Sequence, residues 1–97
     1  MIGPLNAKFN SLARAAKKVA IIGRVRAWRE HGGVTFADLE DASGRIQLSF
    51  DLKTLGRDYH AASESIDIGD FLEVSGRPFR TKRGEATLEV SAWRIAA

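Results

Sequence analysis

The chain has 97 residues, a formal net charge of +3 and 44% hydrophobic residues, enough for one domain around a single modest core. It contains no cysteine, which excludes disulfides and thiolate metal sites and fits a reducing compartment. No apolar run approaches the roughly 18 residues of a membrane span, and no apolar secretory stretch opens the chain. The expected address is therefore the cytoplasm, with no membrane partner.

In chain order, Leu5, Phe9, Leu12 and Ala16 keep the spacing of one helical stripe and predict a helix within residues 1–18. Pro4 suits its first turn, and Lys17 and Lys18 suit its C-terminal end. Three alternating runs follow, Val19 to Glu30, Val34 to Glu40 and Arg45 to Phe50. His31-Gly32-Gly33 and Asp41-Ala42-Ser43-Gly44 separate them, the pattern of strands joined by hairpins. Ile46, Leu48 and Phe50 share a face opposite Arg45 and Gln47, and Phe36 lies off the face that carries Leu39. An aromatic on the polar side of a strand, beside Arg and Gln, suggests a base-stacking surface. Leu39 reads as core, with Asp41 and Gly44 as turn residues.

Leu52, Leu55, Tyr59 and Ala62 then keep helical spacing, which Gly56 weakens. Two final strands are predicted. Phe71 to Arg80 carries Leu72, Val74 and Gly76 on one parity; Ala86 to Ile95 carries Leu88, Val90 and Ala92. Thr81 to Glu85 reads as their hairpin turn, with Gly84 at positive φ. The expected fold is all-β: a five-stranded OB-fold Greek-key barrel, residues 19–97, with an N-terminal helix, residues 1–18, and a helix between strands 3 and 4.

Charge is segregated along this plan. Residues 1–29 hold seven basic residues and no acid, residues 30–76 hold ten acids against three basic residues, and the basic excess returns after residue 77. That pattern favours a polyanion against the first strand and the region around residue 80. Arg24, Arg26 and Arg45 are candidate phosphate contacts, which give affinity and salt dependence without sequence information. Catalytic chemistry has little support. His31 and His60 form neither a metal cluster nor a triad, and no glycine-rich phosphate loop follows a strand. No catalytic residue, metal or cofactor is expected.

The spacing Gly23-x5-Arg29-x2-Gly32-x3-Phe36-x2-Leu39-x-Asp41-x2-Gly44-x2-Gln47 resembles the anticodon-binding OB domain of the class II aminoacyl-tRNA synthetases that charge lysine, aspartate or asparagine. Asp67-Ile68-Gly69-Asp70 and the stretch from Gly76 to Glu85, with FRTKRGE at its end, resemble the lysyl members. The resemblance covers roughly residues 19–95. It implies that Phe36 stacks on the central anticodon uridine, that Gln47 reads that base, and that Arg29 and Glu85 contact the anticodon. It assigns no role to Trp28. The implied partners are the anticodon loop of lysine tRNA and a class II catalytic domain in the whole enzyme, an ATP-dependent lysine–tRNA ligase. That catalytic sequence is not among these residues, so the expectation is binding without catalysis. The alternatives are the same domain from an aspartyl or asparaginyl enzyme, a sequence-tolerant single-strand binder, and a protein-interaction module.

Overall fold

Alternation becomes five strands: β1 (Val19–His31), β2 (Val34–Asp41), β3 (Gly44–Asp51), β4 (Phe71–Arg80) and β5 (Ala86–Ile95). In this computed structural model, which describes residues 1–96, they close into a barrel ordered β1-β2-β3-β5-β4. Ala97, the last residue of the expected barrel domain, lies outside the described residues. β4 returns to pair with β1, so every strand has two neighbours and the edge problem of a small sheet is removed. All pairings are antiparallel except β3 with β5, a short parallel contact from Gln47↔Thr87 to Ser49↔Glu89. The interior is filled from all five strands by Val25, Leu39, Leu48, Phe50, Leu72, Leu88 and Val90, all fully buried. The expected OB-fold barrel is the observed one.

Strict alternation fails at two bulges. Val25 pairs with Leu39 but Ala27 pairs with Asp38, which leaves Arg26 as an extra residue in β1. Ser75 pairs with Ala92 and Gly76 with Val90, which leaves Ser91 extra in β5. Each insertion shifts the inward set by one position. In β1 the inward side passes from Val25 to Trp28, whose ring lies 5.3 Å from Phe50. In β5 it passes from Val90 to Trp93. Ala92, expected to share the Leu88–Val90 face, is exposed instead.

The expected N-terminal helix is two: α1 (Ile2–Ala7) and α2 (Phe9–Ala15), broken at Lys8. Ile2, Leu5 and Phe9 are buried and Leu12 packs at the core's margin. Ala16 leaves the predicted stripe because it closes α2 in the left-handed conformation, with φ 52°. Lys17 and Lys18 therefore fall beyond the helix, and Arg14 occupies its last turn. The connection after β3 is also double. α3 (Leu52–Leu55) and α4 (Arg57–Ser65) meet at Gly56, whose φ of 57° with ψ of −122° no helix can continue through. Tyr59 and Ala62 of α4 are buried, and the Tyr59 hydroxyl bonds Thr35 Oγ1 at 3.1 Å, so neither buried oxygen is left unpaired. No helix among the described residues is long and apolar enough to cross a membrane.

The β2–β3 turn caps α1 from outside. Asp41 Oδ2 accepts from Ile2 N–H and Ser43 Oγ accepts from Gly3 N–H, both at 2.9 Å, serving two of the orphan donors of the first turn. The backbones approach so closely that a Cβ on Gly3 would stand 2.5 Å from the Ser43 carbonyl oxygen. Asp41 also accepts from Ser43 Oγ and from the N–H groups of Ser43 and Gly44. The Ser43 hydroxyl first, and then the Ile2 N–H, hold its carboxyl down to about 2, against an ordinary value of 3.8. A depressed folded-state pKa stabilises the docked form above the ordinary value, and that stabilisation is lost as pH falls through about 2. The protection of the Ile2 and Gly3 amides relative to an unstructured chain should therefore fall between about pH 4 and pH 2, and Asp41→Asn should show low protection already at neutral pH. Protection unchanged over that range would remove Asp41 as the cap.

Candidate nucleic-acid interface

The bulge at Arg26 decides which residues of β1 face out near its end. With the inward position taken by Trp28, Arg29 turns to the outer surface, directly across from Phe36 on β2. Phe36 is partly exposed and absent from the core, as its parity predicts. Gln47, outward on β3, lies across from Asp38. Arg29, Phe36 and Gln47 share one open cleft with Glu85, His31 and the turn residues Thr81, Lys82 and Arg83, a space of about 570 Å³. Four of the seven candidate residues are thereby brought together.

A continuous hydrogen-bond chain lines this cleft. Arg29 donates to Asp38 Oδ1 and to Gln47 Oε1, each at 3.1 Å. Gln47 Nε2 donates to Thr87 Oγ1 at 3.0 Å, and the Thr87 hydroxyl donates to the Glu85 carbonyl at 3.1 Å. The Arg29–Asp38 pair is half exposed and contributes at most about 1 kcal/mol, so it orients the guanidinium more than it stabilises the barrel. An amide has two acceptor sites on oxygen and two donors on nitrogen. Gln47 therefore keeps one of each for a ligand after both internal bonds are made. The Phe36 ring is tilted against His31, centroids 6.2 Å apart, and forms one wall.

Glu85 starts from the β4–β5 turn, which Gly84 closes with φ +84°, as the sequence predicts. Its carboxylate is reached by the Thr81 hydroxyl at 3.4 Å. Arg80 braces the turn from behind, bonding the Gly84 carbonyl and Asn10 of α2. The remaining three candidates lie apart from the cleft. Arg24 and Arg26 line another groove with Glu40, Asp41 and Phe71. Arg26 pairs with Glu40 at 3.0 Å, and Arg45 approaches the same carboxylate at 3.7 Å. The Arg24 guanidinium lies 4.4 Å above the Phe71 ring, and its buried Nε has no hydrogen-bond partner among the described residues.

Sequence reasoning passed over Lys82, Arg83 and His31 in the lining of this cleft, and Asp38 and Thr87 as hydrogen-bond partners of its side chains. Asp38 was detectable, since it shares the outward parity of Phe36. Thr87 was not, because it reaches Gln47 only through the parallel β3–β5 pairing of residues 40 apart. Trp28, without an assigned role, packs on Phe50 and donates its indole N–H to Glu30 at 3.1 Å. Ser63 of α4 donates to the same oxygen, and these two bonds, Ser63 first, hold the Glu30 carboxyl below its ordinary range.

The tRNA anticodon family of OB-fold nucleic acid binding domains matches residues 19–96. The chain belongs to this family. The relatives of the anticodon-type OB domain include the lysine–tRNA ligase of Moorella thermoacetica, 45% identical over 74 residues, 76% of this chain and 15% of that protein. That of Carboxydothermus hydrogenoformans is 42% identical over 81 residues, 84% of this chain and 17% of the relative. That of Bordetella parapertussis is 38% identical over 85 residues, 88% of this chain and 17% of the relative. The chain thus spans about one sixth of the length of these ligases, and it resembles their OB anticodon-binding region.

The placement of Phe36 outside the core makes its truncation cheaper than that of a core residue. Leu39→Ala removes a fully buried side chain and should cost about 2–5 kcal/mol. Phe36→Ala, at a partly exposed site outside the core, should cost less than about 1 kcal/mol. Urea unfolding of both variants measures this. Comparable losses would place the Phe36 ring in the core.

Proposed function

We propose that this OB domain recognises the anticodon loop of lysine tRNA, with the cleft between Phe36, Gln47, Arg29 and Glu85 as its base-binding site. The observation that carries this reading is the convergence of one exposed aromatic face with a fixed amide and a fixed guanidinium. Phe36 would stack on an unpaired base, a contact worth about 1–3 kcal/mol and indifferent to base identity. Gln47 would read the Watson–Crick edge of the central uridine through its remaining donor and acceptor. Arg29, held by Asp38, offers donors to a base carbonyl or a phosphate, and its planar fork makes Lys a poor substitute. Glu85 contributes an acceptor that selects a base edge bearing a donor. Lys82 and Arg83 give the rim a positive potential for the RNA backbone.

Within a whole lysine–tRNA ligase, a class II catalytic domain would carry out the ATP-dependent ligation, while this domain selects the tRNA by its anticodon. Such a role belongs to the cytoplasm. On this reading residues 1–18 brace the barrel and residues 19–97 bind the RNA.

Two measurements test the proposal. With a lysine anticodon stem-loop and a version whose central uridine is replaced, Phe36→Ala should weaken both complexes, by roughly tenfold or more. Gln47→Ala should mainly erase the preference for uridine. Full discrimination in Gln47→Ala, or equal affinity for lysine and aspartate stem-loops, would count against lysine anticodon recognition.

Arg24, Arg26 and Arg45 remain proposed as backbone contacts on the neighbouring face. If they meet phosphates, log K should fall with log salt by roughly 0.7 per contact on single-stranded RNA, and Arg→Gln at each should reduce the slope by that amount. An unchanged slope would take that arginine out of the interface.

A further inference from the structure

The side-chain amide of Gln47 is a base reader whose answer depends on which way round it lies. Uracil presents an acceptor, O4, beside a donor, N3–H. Cytosine presents the reverse in the same places, an N4–H donor beside the N3 acceptor. An amide with nitrogen against the first position and oxygen against the second pairs with uracil; turned by about 180°, it pairs with cytosine. The terminal torsion of Gln is broad and roughly two-fold, so nothing within the side chain makes the choice. Its neighbours must.

Two of them make the same choice. A guanidinium can only donate, so Arg29 requires the amide oxygen on its side. Thr87 requires the nitrogen on the other. A hydroxyl has one hydrogen, and that of Thr87 goes to the Glu85 carbonyl, so toward Gln47 its oxygen offers only lone pairs. Thr87 is 0% exposed, so solvent does not reach its hydroxyl in this arrangement. In the reversed orientation, the amide hydrogens would face the guanidinium, and its oxygen would face the Thr87 oxygen, whose one hydrogen could meet it only by giving up the Glu85 carbonyl. Arg29 is a long, half-exposed side chain shared with Asp38, whereas Thr87 is rigid at χ1 and pinned opposite Gln47 by the β3–β5 pairing.

We infer that Thr87 is a positioning residue for base recognition: its buried hydroxyl locks the Gln47 amide in the orientation that accepts uridine and rejects cytidine. Thr87 acts through Gln47 and touches no RNA. The inference rests on the proposed reading of the cleft as the anticodon site.

The test compares lysine anticodon stem-loops with uridine or cytidine at the central position, bound to wild type and to Thr87→Val, Thr87→Ala and Thr87→Ser. Losing the hydroxyl in the Val and Ala variants should lower the uridine-over-cytidine ratio roughly three- to tenfold, mainly through tighter cytidine binding. Thr87→Ser, which keeps the hydroxyl, should retain the wild-type ratio. An unchanged ratio in both Val and Ala variants overturns the inference. So does a Ser variant as impaired as they are, which would indicate packing alone. If wild type shows no uridine preference, or Gln47→Ala keeps it in full, the reading of the cleft fails instead. The Gln47 side-chain amide resonances of the RNA-free protein give a readout independent of binding. They should move in Thr87→Val and stay near the wild-type positions in Thr87→Ser; unmoved resonances in Thr87→Val overturn the orientation argument.

Discussion

One extra residue in β1 sets the character of the face that carries the cleft. Without the bulge at Arg26, strict alternation from Ile21 and Val25 would carry Ala27 and Arg29 toward the barrel and leave Trp28 outside. A guanidinium in that interior would need partners that Leu39, Leu48 and Phe50 do not offer, and burying it unpaired is prohibitively costly. The insertion exchanges the two side chains. Trp28 gains the apolar contact with Phe50, and its indole N–H still reaches Glu30. Arg29 arrives on the surface already occupied by Phe36, with Asp38 and Gln47 within reach. The bulge also increases local twist, which closing five strands into a barrel requires.

The stability of the barrel and the polarity of the cleft draw on different sets of residues. The barrel is held by the apolar side chains buried from all five strands, and its closure satisfies the backbone. The polar chain from Asp38 through Arg29, Gln47 and Thr87 to the Glu85 carbonyl contributes little net stability, since most of its members are partly exposed. Its contribution is direction. Each member can bond its neighbour in only one sense, because Arg29 only donates and the Glu85 carbonyl only accepts. A surface with one hydrogen-bonding polarity is pre-organised to favour one ligand edge over another.

The N-terminal segment serves this surface indirectly. α1 is docked on the β2–β3 turn through Asp41 and Ser43, and α2 presents Asn10 to Arg80. Arg80 in turn bonds the Gly84 carbonyl and steadies the turn from which Glu85, Lys82 and Arg83 project into the cleft. A cation that composition alone would assign to RNA is thus a structural brace. Arg26 and Arg45, which share Glu40, are similarly compensated.

Local pattern was enough to read the five strands, the β4–β5 turn and the outward parity of Phe36 and Gln47, because period-two alternation and turn glycines act within a few residues. The family resemblance placed Arg29 and Glu85 with them, and the cleft holds all four. Helix continuity was misread at Lys8, where the apolar stripe of one helix runs across a break, while Gly56 had already marked the second interruption. The two bulges were beyond reach, since an inserted residue leaves composition unchanged and appears only when a partner strand defines the register. For that reason Ala92 was assigned inward and the inward turn of Trp28 was not foreseen. Thr87 belonged to the same blind spot. The sequence by itself determined which side chains were candidates for binding a base. Which of them meet, and with which hydrogen-bonding polarity, was decided by the parallel β3–β5 contact and the β1 bulge, since both depend on pairings between residues far apart in the chain.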